Sequence, residues 1–471
     1  MIAFTHLNLI HLVAFTHLNL IHLVSSSKIC SIAEHGGVAD NATDNTDAFR
    51  SAARACVGGG TILVPHGVWM TGPFNLSSHT VLRVDGTISG SQNPSLYPRV
   101  TQQPVDEAYR APYMRNQQRQ ALVSAYSATN VTITGAGTID GNGWPWWKNI
   151  TVQGCFGRHP TGWVPNASTQ PACFVQRPKL VEFVDCVDVA LRGESNAKRL
   201  TLLNSPFWTW HPIFCHGVRA QFVNFLAPRD HGNTDGVDPD SCSDVHVADV
   251  LIDVGDDAVS VKSGLHWKTH VKVAAENHLF ERVTILYRNF AIGSSVAGDV
   301  RNITLRDSTI GDELGSSPWA IKLKTDSQEG GIVDGVFFRN ITIGNITYCG
   351  SSKFVFTPPH SAKDHCVPGH ELGATMIDMG MGYVGDKTNP GRLSNVVFED
   401  LHGIGSTGAS LNAHGLSSAS GCPGCNEHIR NLTLRNIDLS VGGVYTCSDV
   451  DNVIVKHVKQ WSKESTCKPS H

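Results

Sequence analysis

From residue 131 onward one short pattern keeps returning: Val, Ile, Leu or Phe alternating with polar residues, closed by Asn, Asp or Gly. "VTITGAGTI" starts at Val131, "LTLLNSP" at Leu200, "VHVADVLI" at Val245, "VTILYRN" at Val283 and "ITLRDSTI" at Ile303. "VFFRNITIG" follows at Val336, "VVFEDLHG" at Val396, "LTLRNIDLS" at Leu432 and "VIVKHVKQ" at Val453. A period of two belongs to a strand that turns one face to a core. The strands recur at intervals near twenty residues (283 to 303, 432 to 453) or longer. Short strands spaced by one coil and separated by Gly/Asn/Asp turns predict a parallel β-helix. A β-sandwich would show hairpin dipeptides between neighbouring strands and fewer such repeats. "TILVPHGVWMTG" and "HTVLRVDGTISG" carry strand periodicity back toward the N-terminus, and "NATDNTDAFRSAARAC" (41–56) ahead of them reads as a short helix. Asn, Asp and Thr offer its cap, and Gly58–Gly60 stop it.

Two interruptions, 143–177 and 345–393, are expected to project as loops rather than to form domains. Residues 1–26 differ: "AFTHLNLIHLV" stands twice in tandem, at 3–13 and 14–24, and ends near Ser25 and Ser26. The stretch resembles a signal peptide, although four histidines interrupt it and no Lys or Arg precedes Lys28. Residues 27–471 are expected to form one domain. No other stretch approaches the ~20 apolar residues of a membrane span.

The 471 residues are 41% hydrophobic, ample for a continuous core, and carry a formal charge of −4. That charge argues against a nucleic-acid partner but is compatible with a local basic cluster that holds an acidic polysaccharide. Thirteen cysteines and nine N-x-S/T sequons suit a secreted, extracellular protein. Disulfides are expected, with one thiol left over by the odd count, and Cys467 is expected to tie down the C-terminal tail. "NVTI", "NITL" and "NLTL" are also turn-then-strand text, so some sequons have a structural reading. Cys422 and Cys425 form a lone CxxC, too little for zinc. No cofactor, no metal and a monomeric state are expected.

"GDDAVSVKSG" (255–264) then raises a physical question. Alternation sends Asp256 outward with Lys262 and drives Asp257 inward with Val259 and Val261, and a buried unpaired carboxylate is costly. Asp235, in "HGNTDGVDPDSC" (231–242), lies 21 residues before Asp256 and therefore about one rung away. Three clustered carboxylates repel, so at least one pKa should rise. A proton-bearing acid beside ionised partners is what glycosidic cleavage needs. A calcium site or turn chemistry explains the same spacing equally well. "WAIKLKTD" tips the balance: Lys322 and Lys324 share the face opposite Ile321 and Leu323, and together with Lys262 suit a carboxylate-bearing sugar. His211 and Trp208 read as packing residues, and the tryptophans of "GWPWW" (Trp144, Trp146, Trp147) as sugar platforms or core anchors.

"NSPFWTWHP" (204–212), "NTDGVDPDS" (233–241), "GDDAVSVKSG" and "IKLKT" (321–325) stand in the order and spacing of the polygalacturonase-type hydrolases, glycoside hydrolase family 28. The start at 41–70 and "RPKLVEF" (177–183) also resemble that family, so the likeness runs over about 40–460. It implies an all-β fold, a right-handed single-stranded parallel β-helix, and inverting hydrolysis of α-1,4-galacturonosyl bonds in pectin without a metal. It implies Asp256 as proton donor, Asp235 and Asp257 as the pair that activates water, and Lys324 as the binder of the substrate carboxylate. Lys322, Lys262, Asn233, Tyr287 and Arg288 complete the expected substrate-binding set. Three positions depart from the family's pattern. Tyr287, with Arg288 and Asn289 after it, stands where a histidine between two glycines is usual. Lys322 replaces an arginine and loses its bidentate fork. Ala258 replaces a cysteine. A calcium-dependent β-helix lyase and a pectin-binding homologue with impaired chemistry are the rival expectations.

Overall fold

The computed structural model describes residues 28–100, 119–147, 177–265, 269, 271–312, 317–327, 329–349, 374–384, 388–406, 408–418, 422 and 425–470, and the backbone of 156–159, 162–165 and 371–372. The expected signal peptide, most of 143–177 and much of 345–393 lie outside them.

The repeated text forms the columns of a 20-stranded sheet. One column runs Val131, Val189, Val218, Val245, His278, Ile303, Val336, Val396, Leu432 and Val453, each paired in parallel with the next. All of these side chains are buried. His278 belongs there because its Nε2 bonds the Cys242 carbonyl at 2.9 Å, and burial pulls its pKa down to about 4, keeping the ring neutral. The residue immediately before each column member makes the corner. Asn130, Asp188, Asp244, Asn277, Asn302, Asn395, Asn431 and Asn452 all have positive φ there, a conformation that Asn and Asp tolerate. Their amides form a ladder up the solenoid: Asn302 donates to Asn277, Asn431 to Asn395 and Asn452 to Asn431. The sequons at Asn130, Asn302 and Asn431 are therefore corner text, as their sequence suggested.

A second stack faces the first across the core. Its strands are β1 (Phe74–Leu76), β2 (Val123–Tyr126), β3 (Val181–Val184), β4 (Trp210–Ile213), β5 (Val259–Leu265), β6 (Phe290–Val296), β7 (Ile321–Asp326), β8 (Ile377–Val384), β9 (Leu411–His414) and β10 (Tyr445–Ser448). Successive members pair in parallel, except that β4 and β5 are joined only by isolated bridges through 237–240. Parallel coils winding round one continuous core make the expected parallel β-helix. The β–crossover–β rule makes it right-handed.

The interior is filled by stacked side chains. Phe280, Phe290, Phe338 and Phe398 form a run with ring centroids 5.0, 5.7 and 5.0 Å apart. Phe338→Leu removes two of these aromatic contacts and some buried area, and is expected to cost about 2 kcal/mol, read as a lower denaturant midpoint at unchanged m. Helix α1 (Thr46–Ala55) caps the N-terminal end with Ala48, Phe49, Ala52 and Ala53 buried. The Cys30–Cys56 disulfide ties it to the first strand.

Cys422 pairs with Cys425, and Cys447 with Cys467, anchoring the tail. The expectation of one free thiol fails. Cys186, Cys215 and Cys242 are all free and buried on successive rungs. Each thiol points at a backbone carbonyl, those of Ala125, Phe183 and Pro212. They behave as small hydrophobes. Among the described residues no helix is long and apolar enough to cross a membrane.

Candidate active site

The acidic residues gather where the second stack loses its regular pairing. Only the bridges Trp210↔Val237, Ile213↔Asp240, Val237↔Val259 and Asp240↔Lys262 carry the sheet from β4 to β5. Carried back two residues, the Val237↔Val259 bridge sets Asp235 opposite Asp257 rather than Asp256. Two glycines let the chains approach this closely. A Cβ on Gly236 would stand 2.6 Å from the Ala258 carbonyl, and one on Gly255 2.3 Å from that of His231.

The two adjacent aspartates have different surroundings. Asp256 is partly exposed and accepts from the backbone N–H groups of Asn233 at 2.8 Å and Asp257 at 3.0 Å. Asp257 is buried as the alternation demanded, but it is paired: Lys324 Nζ lies 2.5 Å away and Asn289 Nδ2 2.9 Å. Burial pushes its carboxyl up, and the Lys324 ammonium, with Lys262 and the Asn289 bond, more than reverses this, so its pKa falls below the ordinary range. Asp235 goes the other way. Burial, then the charges of Asp238 and Asp256, hold it well above the usual carboxylate range.

Lys262 corrects an expectation. It was expected to point outward and bind substrate, but it is buried, with Nζ 3.0 Å from Asp238, 3.9 Å from Asp235 and 4.4 Å above the Trp208 ring. Strand β5 is covered on both faces, since Ser260 and Lys262 are as buried as Val259 and Val261. The alternation therefore marks polar from apolar on this strand, without marking solvent from core. Asp238 is fully buried and titrates near 6, raised by burial against the pull of Lys262 and His211. Beneath it His211 Nδ1 meets Glu182 at 3.0 Å, and Lys179 reaches the same Glu182 oxygen at 2.5 Å. His211 and Trp208 are both buried in this charged floor. Sequence reasoning missed Asp238, Glu182, Lys179 and Arg177. Asp238 was signalled only by standing three residues after Asp235 in the same motif.

Lys322 and Lys324 share one face of β7, while Ile321 and Leu323 face the core. Lys322 is nevertheless buried, 3.4 Å from the Trp319 ring centroid and 4.0 Å from Asp378. Burial, then Lys324, pull its pKa down to about 8. Asn233 accepts from Arg177 at 2.8 Å while its N–H holds Asp256, so it positions the carboxylate. Tyr287 is buried, with the Arg229 and Arg288 guanidinium carbons 4.9 and 5.1 Å from its ring centroid. Arg288 Nε donates to the Gly255 carbonyl at 3.1 Å, so it adjoins the aspartate turn, as Arg177 does through Gly232 and Asn233. Trp146 and Trp147 are buried, the latter stacked on His231 at 4.4 Å, and Trp144 is 51% exposed.

The family model "Glycosyl hydrolases family 28" matches residues 58–350. A "Probable polygalacturonase" of Vitis vinifera is 31% identical over 328 residues, which is 66% of this chain and 60% of that protein's length. The chain thus spans less than two thirds of that relative. An exopolygalacturonase structure from Thermotoga maritima superposes with a TM-score of 0.65 at 22% identity, covering 91% of this chain and 92% of that one. A family 28 exopolygalacturonase of Yersinia enterocolitica superposes with a TM-score of 0.68 at 18% identity, covering 94% and 77%. At these identities the two structures show a shared fold.

Proposed function

The chain belongs to glycosyl hydrolases family 28, and from that premise we propose that it hydrolyses galacturonosyl bonds of pectin-type polysaccharides with inversion. The observation that carries this reading is the division of labour among the carboxylates: a partly exposed Asp256, an ionised Asp257 locked to Lys324, and a proton-retaining Asp235 beside them. Asp256 is the general acid that protonates the leaving oxygen. Asp257 takes the proton of the attacking water, with Asp235 as the second member of that pair. At rest the cluster's proton sits on Asp235. The proton that Asp235 retains is the cluster's supply for the leaving-group side. Lys324 and Lys322 face the substrate carboxylate. The carboxylates face ammonium groups, which favours hydrolysis over calcium-dependent elimination. Secretion to the cell wall as a monomer completes the reading, supported by the sequons and the disulfides.

The test is to incubate the purified protein with homogalacturonan, rhamnogalacturonan and xylogalacturonan and follow the products by NMR. Saturated products whose new reducing end first appears in the inverted anomer are expected. Unsaturated sugars that vanish with chelator would establish the lyase instead.

Lys324→Met gives a pH prediction with a definite sign. Without its ammonium, burial dominates at Asp257 and the carboxyl's pKa rises. The base is then protonated at pH values where it was ionised, so the acid limb of kcat/KM moves to higher pH. Substrate binding also weakens, seen as a raised KM. An acid limb that stays in place would remove Lys324 as the group that keeps Asp257 charged.

A further inference from the structure

Beyond the lysines, the outer face of the second stack changes sign. Lys322 is paired in register with Asp378, Asp378 with Asn412 and Asn412 with Thr446; Lys324 with Gly380, Gly380 with His414 and His414 with Ser448. The intervening Ile377, Met379, Leu411 and Ala413 are buried. The polar residues therefore share the face that carries the lysines, continuing the same groove along β8 and β9. Asp378 is 25% exposed, and its carboxylate stands 4.0 Å from Lys322 Nζ. Gly380 is an open floor: a Cβ there would meet nothing within 4 Å.

Among the described residues, four cations near this groove already stand beside anions. Lys324 holds Asp257, Lys262 holds Asp238, and Arg229 holds Asp253 and Asp312. Lys322 stands between Trp319 and Asp378. On this face the register sets Lys322 and Lys324 on β7, and one rung further, about 4.8 Å on, Asp378 presents a carboxylate. Like charges brought together in a groove discriminate strongly against a partner.

Resting on the hydrolase reading above, we propose that β8 and β9 form a subsite for an uncharged sugar unit adjoining the galacturonate held at Lys322 and Lys324. Asp378 is its specificity-determining residue. Two sources share this chemistry, a methyl-esterified galacturonate and a neutral sugar. Asn412 and His414 offer hydrogen bonds to its hydroxyls, and the space above Gly380 receives its ring.

The test compares three oligosaccharides of equal length that differ only in the unit beyond the scissile galacturonate: galacturonate, its methyl ester, or rhamnose. The wild type is expected to cleave the better uncharged substrate about tenfold faster in kcat/KM than the acidic one. Whichever of the two is preferred names the source. In Asp378→Asn that ratio should fall to near one. Gly380→Asp adds a charge at a position where a Cβ meets nothing within 4 Å, and should widen the ratio. A ratio that neither variant moves, or a wild type that prefers the acidic unit, overturns the subsite alone. Cleavage of none of the three overturns the hydrolase reading, and the subsite with it.

Discussion

Asp256→Asn is expected to lower kcat about 10³-fold while leaving the fold intact and lowering the melting temperature only slightly. General acid catalysis contributes roughly 10²–10⁴, and the amide cannot give up a proton to the leaving oxygen. The fold should survive because Asp256 is partly exposed and the Asn side-chain oxygen can still accept from the Asn233 N–H, although the bond that the other carboxylate oxygen accepts from the Asp257 N–H is lost. The check is initial rates on galacturonan beside a thermal melt. A second substrate sharpens it: an aryl galacturonide whose leaving group needs no proton should recover much of the lost rate. Loss on both substrates alike would take the acid role from Asp256. A wild type that binds galacturonan without turnover, and an Asp256→Asn protein that binds identically, would establish the impaired homologue.

Lys262→Met should be the most destabilising single change in the site. It leaves Asp238, whose side chain is fully buried, without its lysine partner, and breaking a buried ion pair from one side costs about 3–5 kcal/mol. The loss should depend on pH. Asp238 already titrates near 6 in the folded protein, above an unfolded aspartate, and removing the lysine raises it further. A carboxyl whose folded pKa is raised binds its proton more tightly in the folded state, so its penalty falls as pH falls. The gap in denaturant midpoint between wild type and Lys262→Met should therefore narrow from pH 7.5 to pH 5. Lys262→Met/Asp238→Asn should recover part of the stability at pH 7.5. An equal gap at both pH values would mean that Lys262 acts through its packing on Trp208 rather than through its charge.

Much of this architecture is readable along the chain because its causes are local. Period-two alternation with an Asn, Asp or Gly at each corner specifies a strand and a left-handed turn within ten residues, and the recurring corner text lets rungs stack in register. The capping helix, the tether at Cys467 and the shared face of Lys322 and Lys324 follow from the same short-range rules. So does the burial of Asp257.

Other features depend on what the neighbouring rung provides. Lys262 and Lys322 both look like outward lysines in the text. Both are buried in the fold, one over Trp208 beside Asp238 and the other over Trp319 beside Asp378. Parity counting predicted one free thiol, yet stacking places Cys186, Cys215 and Cys242 above one another in the core, each satisfied by a carbonyl. The text set Tyr287 in the place of a histidine, whereas packing puts its ring beside Arg229 and Arg288 and leaves Arg288 at the Gly255 carbonyl. The sequence by itself determined the solenoid, its cap and the identity of the acidic and basic side chains. Only the tertiary structure decided which carboxylate meets which lysine, and hence which aspartate is ionised and which keeps a proton. Alternation tells a residue which face it occupies, but charge and burial on that face are set by coils tens of residues away.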